Sequence, residues 1–415
     1  IKNMKKILFT LTVIMIVPYL NAQTITNFTT ENGLPHNNVN CVAIDGNDAV
    51  WFGTQSGVAK YDPDDGPEGS WLYFTTSDGL VHNTIKCITV DHLGNIWAGT
   101  DYGISMYNGS VWTTYNTASG LGSNWVYHIA EDAAGNIWVG TMIGLSRYDT
   151  GGGWTNFGSA DGLTSGVCFI TFDSQGNKWL GTFMSGMAKF DDADFTFFTT
   201  NEGLLDDFNI LSIAIDDQNN KWVATCHGIS RFDGNDQWAA DYLEGEGLFT
   251  EAVKDIDFDS EGNLWIGSYT DYLNEGAVNK YDGTNWEYFV VDQDDTIDSL
   301  VSIVIRRLAV DSQDNVWVAT GNGASRISSG NVGISEQIRY NDLILFPNPA
   351  SSVVNVFLPE INETGNIEIY DRSMKKIGEF AVNGADNISF PVRHYPEGLY
   401  LIRNGKSIKK LIIAH

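Results

Sequence analysis

Between residues 24 and 330 the apolar positions fall in short β-rich runs broken by Gly, Asn and Asp, and no stretch keeps a 3.6-residue apolar period long enough for a helix. One unit, starting at Ile129, reads IAEDAAGNIWVGTMIGLSRYDTGGGWTNFGSADGL and holds four such runs. The first run ends at an aspartate. A Gly-Asn turn, whose glycine supplies the positive φ of a tight hairpin, leads to a second run centred on tryptophan. The third opens on glycine, as in GVAKYD from Gly57, GISMYN from Gly103, GLSRYD from Gly144, GMAKFD from Gly186 and GISRFD from Gly228. The fourth surrounds Trp71, Trp112, Trp154, Phe195, Trp238 or Trp286.

The unit recurs. Trp51, Trp97, Trp138, Trp179, Trp222, Trp265 and Trp317 are spaced by 46, 41, 41, 43, 43 and 52 residues, and each follows an aspartate by six positions. A period of this size made of four strands is a propeller blade rather than a solenoid turn. Two incomplete pieces complement each other: ITNFTTENGL near the start is a fourth strand without a blade, and the last unit stops after its third strand, ASRIS from Ala324. The strand around Phe28 is therefore expected to complete the blade of Trp317. The fold class predicted is all-β, a seven-bladed propeller over residues 23–330 closed by an N-terminal strand, with few exposed edges.

The repeat DxxGNxWxGTxxGxxRYD resembles the two-component-regulator propeller repeat. That resemblance implies a scaffold and no particular substrate. In sensor kinases of this kind two propellers usually precede a transmembrane helix and a kinase. Neither is found here, so the expectation is a binding module, not a signalling receptor.

Residues 1–22 hold a short basic start, an apolar run from Ile7 to Val17 and a small residue, Ala22, before Gln23. This reads as a secretory signal peptide, and the run is too short for a transmembrane anchor. Beyond a linker at 331–342 the texture changes, and residues 343–415 alternate apolar and polar positions in several strands, enough for a small C-terminal β-sandwich. Within it Asn348-Pro349-Ala350, Ile369-Tyr370-Asp371, Gly398-Leu399-Tyr400-Leu401 and Lys409-Lys410-Leu411-Ile412-Ile413 resemble the type IX secretion system C-terminal sorting domain. The resemblance implies engagement of the type IX machinery in a Bacteroidota-type bacterium, and a destination in the medium or on the outer-membrane surface.

The net charge is −28, carried almost wholly by the repeats. Such a surface repels nucleic-acid phosphates and anionic lipid, which leaves cations, cationic peptides, neutral glycans and proteins as partners of a chain expected to be monomeric. The four cysteines, Cys41, Cys87, Cys168 and Cys226, show no zinc spacing. Cys41 and Cys87 lie ten residues before their tryptophans, in equivalent places on neighbouring strands. Two buried thiols in one structural slot is the favoured reading, and a cross-blade disulfide the other.

Features present in every blade belong to the scaffold. The aspartates are expected to form Asx-type turns, and the tryptophans to pack between blades rather than stack on sugars. Function is then sought in what differs. The loops between second and third strands, and those leading from a fourth strand to the next blade, open on one face around the central channel. Two irregular insertions fall there as neighbours, SYTDYLNEGA from Ser268 and VDQDDTIDSL from Val291. The candidate ligand-binding residues on this face are Tyr102, Trp125, Phe183, His227, Tyr269, Asp271, Tyr272, Asp292, Asp294 and Asp295. Clustered carboxylates also make calcium a candidate cofactor, although the spacing fits no known calcium loop. Another acidic run, DPDDGPEG from Asp62, belongs to the opposite face.

The runner-up is an enzyme. Related propellers include streptogramin lyases, which the resemblance implies use a histidine base and a metal near the channel mouth. His36, His82, His128 and His227 are candidate bases, with His36 and His82 in a shared Gly-Leu-x-His-Asn context. No nucleophile elbow, phosphate loop or zinc motif occurs, so binding is favoured over catalysis. A histidine beside a carboxylate at the mouth would favour an enzyme, and a broad aromatic and acidic rim a binder.

Overall fold

The computed structural model describes residues 23–65, 69–233, 237–243, 247–270, 275–291, 299–329, 344–346, 353–357, 366–371, 375–381, 387–404 and 407–413. The expected signal segment and linker lie outside these residues. From residue 23 to 329 the chain forms seven four-stranded antiparallel sheets, six of them in simple chain order. Their first strands are Val39–Ile44, Cys87–Val90, Val126–Glu131, Val167–Phe172, Ser212–Ile215, Val253–Phe258 and Ile305–Val310, which define blades 1 to 7. The fourth strand of blade 7 is Gln23–Phe28, paired with Gly323–Ser329 from Gln23 opposite Ser329 to Phe28 opposite Ala324.

One local device explains why each blade starts the same way. In all seven, the tryptophan Nε1 donates to the aspartate six residues earlier at 2.7–3.0 Å. The other carboxylate oxygen closes the expected Asx turn; Asp173 Oδ1 accepts from the Gln175 and Asn177 amides at 3.0 and 2.8 Å. Burial alone would raise the Asp173 carboxyl, but hydrogen bonds from Asn177 and Trp179 outweigh it and hold the group below the ordinary carboxylate range. The turn needs positive φ three residues before each tryptophan. Glycine takes that position in four blades, and Asp48, Asn219 and Asp314 in the others.

The seven apolar clusters of the propeller each straddle two blades. Trp179 and Met187 of blade 4 pack with Ile210, Ile213 and Phe232 of blade 5, and Trp317 of blade 7 packs with Phe28, Phe52 and Tyr61. The tryptophans are therefore packing residues, as their repetition suggested. Each Gly-Leu passage buries its leucine, from Leu34 at 3 % exposure to Leu248 at 1 %, and Leu300, which follows Ser299 in the last blade, is buried too.

Cys41 and Cys87 are free thiols. Cys41 packs between blades 1 and 2 and Cys87 between blades 2 and 3, so equivalent positions point the same way around the ring and not at each other. Burial pushes the Cys87 thiol up to about 12, which keeps it protonated and unreactive.

In the tail, a three-stranded sheet and a four-stranded sheet share one core in which Val354, Val356 and Phe390 meet Ile367, Ile369, Ile402 and Leu411. This is the expected β-sandwich. Among the described residues no helix is long and apolar enough to cross a membrane.

Candidate functional site: the channel and its mouth

The loops between second and third strands and the loops entering each blade are bonded to one another, which places them on one face. Gly57 N donates to Asn83 O at 2.7 Å, Gly103 N to Asn124 O at 2.9 Å, and Met142 N to Trp125 O at 3.1 Å. Asn37, Asn83 and Asn124 each accept from a threonine amide seven residues upstream, at 2.7–2.8 Å, which fixes the entering loop. The shared His-Asn context is thus structural. His36 and His82 accept backbone N–H groups of Asn38 and Thr84 through Nδ1, at 2.8 and 3.0 Å.

On this face Tyr102 and Trp125 are exposed, at 56 % and 51 %, and Tyr102 stacks on His82 with centroids 4.5 Å apart. Phe183 is half-buried and meets Tyr127 edge-on at 4.7 Å. Tyr269 packs against the cluster between blades 6 and 7, which makes it an anchor of the rim. Four apolar residues that the sequence reading did not single out as ligand contacts continue the arc: Met142, Ile143, Met184 and Phe208, all exposed. The candidates Asp271, Tyr272, Asp292, Asp294 and Asp295, with the proposed calcium site, lie outside the described residues. Among the described residues no three His, Cys, Asp or Glu side chains converge to hold a metal ion.

Near the axis the described part of the mouth carries Lys86, Lys254 and Arg306, while the aspartates of the acidic insertions expected on the rim lie outside the described residues. Lys86 pairs with Asp101 and lies 4.8 Å from the Tyr127 ring. Lys254 and Arg306 occupy equivalent positions on blades 6 and 7, and Arg306 Nη1 donates to Asn40 Oδ1 at 3.1 Å. Of the histidine candidates, His227 alone has, among the described residues, a carboxylate partner at the mouth, Asp206 Oδ2 at 2.8 Å from Nδ1. His128 is not at the rim at all.

His128 belongs to a ring inside the channel. Ten residues before each tryptophan stand Cys41, Cys87, His128, Phe169, Ser212, Asp255 and Arg307, so this position differs from blade to blade where its neighbours repeat. Arg307 of blade 7 reaches inward to the Leu211 carbonyl of blade 5 at 2.9 Å and to Asp255 of blade 6 at 3.3 Å. It also lies 5.6 Å from the Phe169 ring of blade 4. The guanidinium therefore crosses the axis. Asp255 in turn accepts the Leu308 amide at 2.8 Å.

A cavity of about 380 Å³ lies along this part of the channel, lined by Phe169, Thr171, His128, Asp255, Asp257 and Arg307 among others. Burial, reinforced by the Arg307 charge, pushes the His128 imidazole down to about 3 and keeps it neutral. Burial, with the Asp255 charge, pushes the Asp257 carboxyl up to about 7 although it accepts the Phe258 amide at 2.9 Å. Among the described residues the buried His128 Nδ1 has no hydrogen-bond partner. The cysteine pair pointed to this ring, and the same ten-residue offset in the other blades would have found the rest.

The two-component-regulator propeller model matches residues 33–56, 79–102 and 120–142, and the secretion system C-terminal sorting domain model matches residues 344–414. The chain is thus a β-propeller protein of the two-component-regulator repeat type. It carries a type IX sorting tail and is exported to the cell surface or the medium. No curated protein matches it in sequence. Among solved structures it resembles the extracellular domain of the hybrid two-component system BT3049 from B. thetaiotaomicron, with 19 % identity, TM-score 0.62, and coverage of 95 % of this chain and 60 % of that one. It also resembles virginiamycin B lyase from Staphylococcus aureus, with 14 % identity, TM-score 0.57, and coverage of 74 % and 99 %. A third likeness is to PorZ, a surface component of the type IX secretion system of Porphyromonas gingivalis, with 13 % identity, TM-score 0.57, and coverage of 92 % and 60 %. At these identities the likeness is one of fold. The chain spans about 60 % of the length of the first of these structures.

Proposed function

We propose that this exported propeller is a binding protein that takes a peptide or protein ligand on the mouth face of blades 2 to 5. The observation that carries this reading is the arc of exposed Tyr102, Trp125, Met142, Ile143, Met184 and Phe208. Isolated exposed apolar residues need no explanation, but an arc on one face rimmed by polar loops marks an interaction surface. Methionine and isoleucine beside the aromatics suit apolar side chains of a polypeptide better than sugar rings, since thioethers adapt to irregular apolar shapes. Tyr102, Trp125 and Phe183 are the contacts assigned.

Selection of displayed peptides on the purified protein, with a glycan array in parallel, tests this. Replacing Tyr102, Trp125 and Met184 together by serine should abolish capture of the selected peptides. Undiminished capture by that variant, or glycan binding alone, refutes the reading.

The His227–Asp206 pair supports a second reading, a lyase in which Asp206 orients His227 as a general base. Turnover of a streptogramin B antibiotic by the wild type, lost in His227→Ala, would establish it. Absence of turnover would remove it.

A further inference from the structure

Past Arg307, on the side away from the mouth, the cavity continues to Thr171, Ala214 and Asp257. Eight residues before each tryptophan, and opposite it in the sheet, six blades carry Ala or Thr and blade 6 carries Asp257. Small side chains leave room at the axis, and one carboxylate stands in it. Protein surrounds Asp257, yet part of its surface faces the cavity. His128, three blades away, lines the same cavity with its Nδ1 buried and, among the described residues, unpartnered. The Phe169 ring lies 4.2 Å from the imidazole.

We propose that this chamber binds a small primary ammonium compound. Asp257 is its counter-charge and the neutral His128 imidazole an acceptor for its N–H. An anion is disfavoured because Arg307, the cation of the cavity, is engaged by Asp255 and by the Leu211 carbonyl, and both Asp255 and Asp257 would repel a second negative charge.

The approach is also suited to a cation. Arg307 crosses the axis on the mouth side, leaving the opposite face as the entry. The seven turns there, from each repeat aspartate to the residue two before its tryptophan, hold eleven Asp or Glu and no Lys or Arg, so they stay net negative although Lys60 and Lys280 of the third strands pair with Asp45 and Asp259. A field of one sign at a channel opening concentrates ligands of the other.

Titration calorimetry of the purified full chain at pH 8 tests the proposal, with phenethylammonium, methylammonium and phenylacetate as probes. Both amines should bind and phenylacetate should not. Asp257→Asn should weaken both amines by about tenfold or more, while the exposed Asp64→Asn leaves them unchanged. Ala214→Val, which narrows the chamber without changing its charge, should weaken phenethylammonium more than methylammonium, and it carries the test should Asp257→Asn misfold. Equal binding of phenylacetate, amine binding indifferent to Asp257, or no heat from either amine with folded protein overturns the proposal.

Discussion

Replacing Asp173 by alanine removes one carboxylate that accepts four hydrogen bonds, from Gln175 N at 3.0 Å, Asn177 N at 2.8 Å, Asn177 Nδ2 at 2.7 Å and Trp179 Nε1 at 2.9 Å. Two consequences follow. The turn amides can turn to water, because the loop is at the surface, and their loss is modest. The Trp179 indole cannot, because its side chain is fully buried against Phe198 and Phe232, with centroids 5.6 and 5.8 Å away. A buried donor left without a partner costs about 1–3 kcal/mol, and a hydrogen bond to a charged group contributes about 1.5–3 kcal/mol. Allowing for non-additivity, Asp173→Ala should lose roughly 3–5 kcal/mol. Urea unfolding followed by tryptophan fluorescence measures it. Adding Trp179→Phe removes the orphaned donor, so the double mutant should recover about 1–3 kcal/mol relative to the sum of the single changes. A loss under about 1 kcal/mol for Asp173→Ala, or strict additivity of the pair, would refute the idea that the indole bond locks the blade.

Three further outcomes are expected. The carboxyls of Asp132, Asp173 and Asp216 are held below their ordinary range in the folded state, so the stability they contribute is present above about pH 4 and should disappear as pH falls further, seen as acid unfolding in a pH series of melts. Asp257 has the opposite sign: raised to about 7, it favours the fold at low pH and costs stability as pH rises through that value. Asp257→Asn should then be more stable than the wild type at pH 8, on the order of 3 kcal/mol, with the difference vanishing near pH 4, and equal melts at both pH values would contradict this. Deleting residues 343–415 should leave the propeller in the periplasm, and its normal appearance at the cell surface in fractionation would show that the tail is not the export signal.

The scaffold was legible because it repeats. Seven tryptophans with an aspartate six residues before each define the period and the hairpin turn, which depend on residues near one another in sequence, and their repetition marked them as packing residues. The tail was legible from its strand pattern and motifs for the same reason. The rim was read in part. Tyr102 and Trp125 stand exposed on the expected face, but Tyr269 is packed, and Met142, Ile143, Met184 and Phe208 were missed as contacts because exposure depends on how loops of neighbouring blades cover one another.

What the sequence determined by itself is the blade, since a hairpin turn, a buried tryptophan and an alternating strand are specified within about forty residues. Only the tertiary structure decided the chemistry of the channel. Arg307, Asp255, Phe169 and His128 come from four blades, and each, taken within its own repeat, is a variable residue on a first strand. Their meaning arises when seven equivalent strands converge on one axis. There burial holds His128 neutral, raises Asp257 and sets a guanidinium against a carboxylate, effects that exist only where distant segments share one low-dielectric space.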